Sequence, residues 1–270
     1  MSRRVPVALV TLTVAAATVL AACTGRVTPA LSDPRAIVDG ALDAVEAAKS
    51  VHLEVEVAGS PGAGLGGQPT GGSLDLEGTT AEADVDLAAG AVRGSFTVPA
   101  VPGLGGQLIA IDRVAYLRVD LLGPRYRKLA GGDGGPLDAL VDPRRAISQM
   151  RQALEGLSGP PRKAPNEQCG DADCYRVTIA VPVAGLAGAL ENGLGAPPGS
   201  PAPGATGGGA IDLWVRTSDL RPARLVVTAD DRSRGRLMVT VQLTRWDEPV
   251  SVSAPPAGQV DEGAPPSLIP

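Results

Sequence analysis

From Val51 to Leu243 much of the chain is made of short stretches in which apolar and polar residues take turns. Val51, Leu53, Val55 and Val57 share one parity, and His52, Glu54 and Glu56 share the other. The pattern returns at Leu74 and Leu76, at Ala83, Val85 and Leu87 against Glu82, Asp84 and Asp86, and at Val92, Phe96 and Val98. Leu108 to Ile111 and Val114 to Val119 follow, then Tyr175, Val177, Ile179 and Val181, and last the runs 210–216, 223–229 and 236–243. Period two over a few residues, broken by glycine-rich turns, predicts an antiparallel meander of about nine strands, with one face on a core and an acidic face in water. His52 falls on that solvated face beside Glu54 and Glu56.

Other segments carry the helical period. Asp33-Pro34 supplies an N-cap and a first-turn proline, and Ile37, Val38, Ala41, Leu42, Val45 and Ala48 follow at helical spacing. A short helical piece spans 136–141. Asp142-Pro143 then starts a helix to about Gly156, with Ile147, Met150, Leu154 and Leu157 on one side. A further short helix is predicted near 183–190. Residues 191–209 are nearly all Gly, Pro and Ala and read as a linker, and the proline-rich chain after Trp246 reads as a loosely held tail. The fold class is therefore α+β. A sheet this long curls, and helices laid into its concave side could leave a cavity lined by aliphatic side chains.

The N-terminus changes the picture. Two arginines, Arg3 and Arg4, precede an uncharged apolar run from Val5 to Leu20, the plan of a secretory signal. Leu20-Ala21-Ala22-Cys23 resembles the bacterial lipobox. That resemblance implies cleavage before Cys23 and a diacylglyceryl group on its thiol, where acyl methylenes at about 0.8 kcal/mol each would hold the protein to the outer face of the cell membrane. An ordinary signal with a chance cysteine, or an uncleaved anchor, is the competing account. The predicted organisation is a signal peptide at 1–22, a lipidated tether at 23–32, a domain at 33–250 and a tail at 251–270.

The whole chain has 24 basic and 29 acidic residues. Without Arg3 and Arg4, 22 basic residues remain against those 29, a net charge of −7, which argues against nucleic acid or an anionic lipid surface as the main partner. With only two Trp, three Tyr and one Phe, the interior must be built from Val, Leu, Ile and Ala. Cys169 and Cys174 enclose four turn-forming residues, Gly170-Asp171-Ala172-Asp173. Outside the cytosol such a pair is read as a disulfide; a zinc site is the rival, made poor by the lack of a nearby histidine.

Catalytic patterns are weak. His52 is the single histidine, and no Gly-x-Ser-x-Gly elbow or phosphate-binding glycine loop occurs. The acidic runs have strand spacing rather than that of a calcium loop. A non-enzyme without metal or other cofactor is expected.

Several segments together resemble the LppX/LprAFG family of mycobacterial and related actinobacterial lipoproteins. They are the lipobox at Cys23, the helix running into Ala47-Ala48-Lys49-Ser50-Val51-His52-Leu53, and Gly72-Ser73-Leu74-Asp75-Leu76-Glu77-Gly78. Val114-Ala115-Tyr116-Leu117-Arg118 and Leu243-Thr244-Arg245-Trp246-Asp247-Glu248-Pro249-Val250, with Ala254-Pro255-Pro256 beyond, complete the set. The resemblance implies a curved antiparallel half-barrel, similar to the Gram-negative lipoprotein carriers LolA and LolB, with helices on the concave side around a hydrophobic cavity. It implies a monomer that takes an acylated lipid, glycolipid or lipoglycan toward the outer envelope, in some members alongside a lipid exporter. The alternative is a non-carrier surface lipoprotein, a scaffold or partner subunit of an envelope transporter or signalling protein. Candidate lining residues are the inward positions Val55, Val57, Leu76, Val85, Leu87, Phe96, Val98, Ile111, Leu117, Ile147, Met150, Val177, Ile179, Leu213 and Val239. For each one alone, plain core packing is the commoner role.

Overall fold

The computed structural model describes residues 31–60, 75–130, 142–155, 159–182, 207–231 and 235–261, and Ser32–Pro270 form a compact unit. The predicted signal segment, Cys23, the tether up to residue 30, the helical pieces at 136–141 and 183–190, the linker up to residue 206 and the last nine residues lie outside the described residues.

Helix α1 (Pro34–Ala47) starts as the sequence predicts. The Asp33 carboxylate accepts from the backbone N–H of Arg35 at 2.9 Å and proline occupies the first turn, so a donor left open at the helix start is satisfied. Ile37, Val38, Ala41 and Leu42 are its buried face. Gly40 lies against the Leu220 side chain, where an added Cβ would come within 2.7 Å of Cδ1. Glycine thus lets the helix approach that turn closely.

The strands are β1 (Ser50–Gly59), β2 (Thr79–Asp86), β3 (Ala91–Thr97), β4 (Gly105–Ile111), β5 (Val114–Val119) and β6 (Tyr126–Ala130), then β7 (Arg162–Lys163), β8 (Glu167–Cys169) and β9 (Ala172–Pro182). After them come β10 (Gly207–Arg216), β11 (Pro222–Asp231), β12 (Gly235–Thr244) and β13 (Val260–Asp261). Helix α2 (Pro143–Glu155) lies between β6 and β7, and Asp120–Leu122 form a short 3-10 turn between β5 and β6.

All 13 described strands belong to one curved sheet in the order β13-β6-β5-β4-β3-β2-β1-β12-β11-β10-β9-β7, with β8 also paired to β9. Two meanders, β1 to β6 and β9 to β12, are joined by the antiparallel pairing of β1 with β12. Every pairing is antiparallel except the short parallel one between β13 and β6. Asp112 and Arg113 make the tight β4–β5 turn with φ of 52° and 62°, the left-handed geometry that a two-residue hairpin loop needs.

This is the expected α+β half-barrel, with three differences. β6, β7, β8 and β13 are additional strands. The chain after Trp246 is not loose: Asp247 accepts from the Lys49 backbone N–H at 2.7 Å, Ser50 Oγ donates to the Glu248 carbonyl at 2.5 Å, and the segment ends in β13 against β6. Third, His52, although on the outer face, is only 7 % exposed.

Candidate functional site

Strand register assembles the inner face from residues distant in sequence. Phe96, Ala81, Val55, Val241, Leu225, Leu213 and Val177 stand directly opposite one another across β3, β2, β1, β12, β11, β10 and β9. A second rung, two residues along, joins Val57, Val239, Val227, Ile211 and Ile179. Two rungs away in the other direction, Val51, Val85, Val92, Ala110 and Ala115 are opposed. Opposed residues in a ladder point to the same side, so these three rungs form one aliphatic face.

Burial along that face is graded. The rung from Val51 to Ala115 is fully buried, joined by Ala48 and Leu87 and packed by Leu53, Ile147 and Trp246. This is the packed end. In the other two rungs Val177 and Ile179 are fully buried, whereas Phe96, Ala81, Val55, Val241, Leu225, Leu213, Val57, Val239, Val227 and Ile211 are only half-buried. The same antiparallel register puts the 98–104 and 120–125 turns at the half-buried end, and the 87–90, Asp112–Arg113 and 217–221 turns at the packed end.

Helix α2 enters at the packed end. Arg144 Nε donates to the Leu87 carbonyl at 2.9 Å, and Ile147 packs on the buried cluster. One guanidinium ties the two helices: Arg151 reaches Asp43 at 2.8 Å and Glu46 at 3.1 Å, both on α1. The hydrogen bonds that Arg151 donates to these two carboxylates raise its pKa further above its already high value.

Of the candidate lining residues, Val55, Val57, Phe96, Leu213 and Val239 fall in the half-buried rungs, and Val177 and Ile179 at their buried edge. Leu117 pairs with Leu108 on the same face. Val98 follows β3 at the parity of Phe96 and is half-buried. Val85, Leu87 and Ile147 belong to the packed end. Leu76 precedes β2, bonded through its N–H to the Gly59 carbonyl at 2.9 Å. The Met150 side chain lies outside the described residues. Ile111 is a correction: it shares the parity of Ile109, which opposes Arg93 and lines the outer face with Asp84. The uniformly apolar run Leu108 to Ile111 carries no alternation from which to read its phase. Val241, Leu225, Val227 and Ile211 were not among the candidates, although the same alternation in their strands marks them.

The outer face is polar and internally paired. His52 Nδ1 donates to Asp84 at 2.7 Å, and Arg93 and Arg245 lie 3.6 and 3.7 Å from that carboxylate. Burial pushes the Asp84 pKa up, but the His52 hydrogen bond and the neighbouring positive charges outweigh it and hold the group below its ordinary value. A half-open space of about 590 Å³ separates these residues from the Ser253–Pro256 segment. Farther along, Arg176 and Arg224 flank the Trp214 ring, each 5.0 Å from its centroid. Glu167 accepts from the Trp214 indole N–H at 3.0 Å and from Arg176 at 2.8 Å, which lowers its pKa. Beside them, Cys169 and Cys174 form the disulfide, with Cα atoms 5.9 Å apart, and Cys174 packs on Trp214 and Val226. Around His52 and around Trp214 the outer-face charges are paired with one another, while the inner aliphatic face is only half-buried over two of its rungs.

No family model matches the sequence, and no curated protein matches it. Among solved structures, the lipoprotein LppX of Mycobacterium tuberculosis is similar over 82 % of this chain and 100 % of its own, with 18 % identity and a TM-score of 0.52. LprF of Mycobacterium bovis is similar over 84 % of this chain and 98 % of its own, with 17 % identity and a TM-score of 0.53. Likeness at these identities is likeness of fold: the chain has the fold of the Mycobacterium tuberculosis lipoprotein LppX and of LprF from Mycobacterium bovis.

Proposed function

We propose that this protein is an envelope lipoprotein, held at the outer face of the cell membrane through Cys23, that carries acylated lipids on the concave face of its sheet without catalysing a reaction. The observation that carries the reading is the graded burial of that face. Ten apolar side chains in two continuous rungs remain half-buried, while the rung from Val51 to Ala115, two rungs farther along the same face, is fully buried. Covering such a strip with acyl chain would be favourable by on the order of 5 kcal/mol, taking about 25 cal/mol per Å² of apolar surface. The ten positions belong to strands from both meanders, so a bound chain would lie across the β1–β12 pairing. A lipid headgroup would stay outside this face, because the inner rungs offer it no polar partner. LppX, one of the two similar structures, is a lipoprotein, which agrees with the lipobox reading of Cys23.

The test is native mass spectrometry with organic extraction of the protein, purified from an actinobacterial envelope with Cys23→Ala. Stoichiometric acyl lipid, lost on Val241→Trp or Leu213→Trp substitution in a protein that still folds, is the expected result. An empty protein that refuses added glycolipids and phospholipids sinks the carrier reading and favours a scaffold or partner-subunit role.

A further inference from the structure

Among the described residues three large apolar side chains are exposed, and two of them are adjacent: Leu121 at 57 % and Leu122 at 46 %, in the 3-10 turn between β5 and β6. The turn is followed by Gly123-Pro124 and touches the β3–β4 loop, where Leu121 Cδ1 lies 3.3 Å from the position of a Cβ on Gly103. That loop, Val98-Pro99-Ala100-Val101-Pro102-Gly103-Leu104, holds no charged residue. Asp120, the first residue of the turn, is paired with Arg118 at 3.5 Å, and Arg125, just past Pro124, is paired with Asp261 at 2.7 Å. The tip therefore presents two leucines beside a loop without charged residues, with the Asp120 carboxylate at its start held by Arg118.

We infer that this tip docks the protein on a phospholipid bilayer, with Leu121 and Leu122 entering the acyl boundary. Size argues for a bilayer over a protein. Two exposed leucines fall far short of the ~1,000 Å² that a specific protein interface buries, whereas insertion at a bilayer surface has no minimum footprint and strengthens in proportion to the apolar area that enters the acyl boundary. Position argues the same way. The register puts both loops at the half-buried end of the inner aliphatic face, opposite the end closed by Trp246, Ile147 and Leu87. Docking there turns the uncovered end of the sheet toward the lipid. The inference stands without the cargo reading, since a tip that docks needs no ligand inside.

The experiment uses the compact unit Ser32–Pro270, which lacks the N-terminal segment, and zwitterionic phosphatidylcholine vesicles with and without brominated acyl chains. Leu121→Trp places a fluorophore at the tip; Ala89→Trp places one in the exposed 87–90 turn at the packed end; the parent protein gives the background of Trp214 and Trp246. Bromolipid should quench the Leu121→Trp signal and leave Ala89→Trp at background. Leu121→Asp/Leu122→Asp should lower vesicle co-sedimentation by about tenfold or more, with an unchanged circular dichroism spectrum. Leu121→Ser/Leu122→Ser serves if the charged pair impairs folding. Equal quenching at the two tryptophan positions, or co-sedimentation of the folded double variant at the parent level, overturns the inference.

Discussion

The Asp247 carboxylate accepts a hydrogen bond from the backbone N–H of Lys49 at 2.7 Å, joining residues 198 positions apart. The same carboxylate is paired with Arg221. One side chain thus connects the exit of α1, the β10–β11 turn and the start of the C-terminal segment. Replacing it with Ala should lower stability by about 1–2 kcal/mol, the range for a hydrogen bond to a charged group that is partly open to water. Asp247→Asn keeps an acceptor for Lys49 and should cost less. Urea unfolding of the two variants checks this; equal losses would show that the hydrogen bond to Lys49 is not the important contact.

Acid should weaken the fold through three carboxylates. Asp84, Glu167 and Asp247 all have folded pKa values below their ordinary ones. For Asp247 the Lys49 N–H is the largest cause, opposed by burial and helped by Arg221. A depressed pKa means that the folded protein binds fewer protons than the unfolded chain. The stability gained is therefore complete above the unfolded pKa of about 4 and is lost as pH falls from there through the folded values. Melting temperatures measured from pH 6 down to pH 3 should fall below about pH 4, less steeply in the triple variant Asp84→Asn/Glu167→Gln/Asp247→Asn. Identical slopes would assign acid sensitivity to other groups.

Position along the inner face should decide the effect of truncation. Val85→Ala, in the packed rung, leaves a cavity and is expected to cost about 2 kcal/mol; Val241→Ala, in a half-buried rung, should cost less than about 1. Chemical denaturation measures both. Similar losses at the two sites would mean that the half-buried rungs are as tightly packed as the closed end, contrary to the gradient.

Reducing the Cys169–Cys174 bond should be felt locally. A loop this short restrains the unfolded chain by about 2 kcal/mol, and Cys174 is fully buried against Trp214. Reductant should lower the melting temperature and change the tryptophan emission of Trp214. A melt indifferent to reductant would show that the packing of Trp214 between Arg176 and Arg224 holds this corner unaided.

Much of the architecture was legible because strands half-covered by water must alternate. β1 declares its faces through Val51, Leu53, Val55 and Val57, and α1 declares its start through Asp33 and Pro34. β6 was illegible for the converse reason: Tyr126-Arg127-Lys128-Leu129-Ala130 has no apolar phase, and its place comes from backbone pairing with β5. Ile111 was assigned to the wrong face because Leu108 to Ile111 is apolar throughout. The burial of His52 could not be read from β1 alone, since the carboxylate that holds its ring is Asp84 on the neighbouring strand β2. For the candidate site, composition identified the aliphatic face. The gradient along it depends on which side chains cap each end, and only tertiary structure supplies that.

The pairing of β1 with β12 also has a bearing on how the chain reaches its final form. Each meander consists of hairpins between neighbouring segments, contacts that close short loops and form early. β1 is among the first strands to emerge during synthesis or export, but the edge it offers to β12 stays open until Gly235–Thr244 have followed. Until then Val55 and Val57 lack Val241 and Val239 beside them, and an unpaired apolar edge invites other chains. Truncation within the last strands would therefore leave an association-prone half-sheet rather than a smaller version of the same domain.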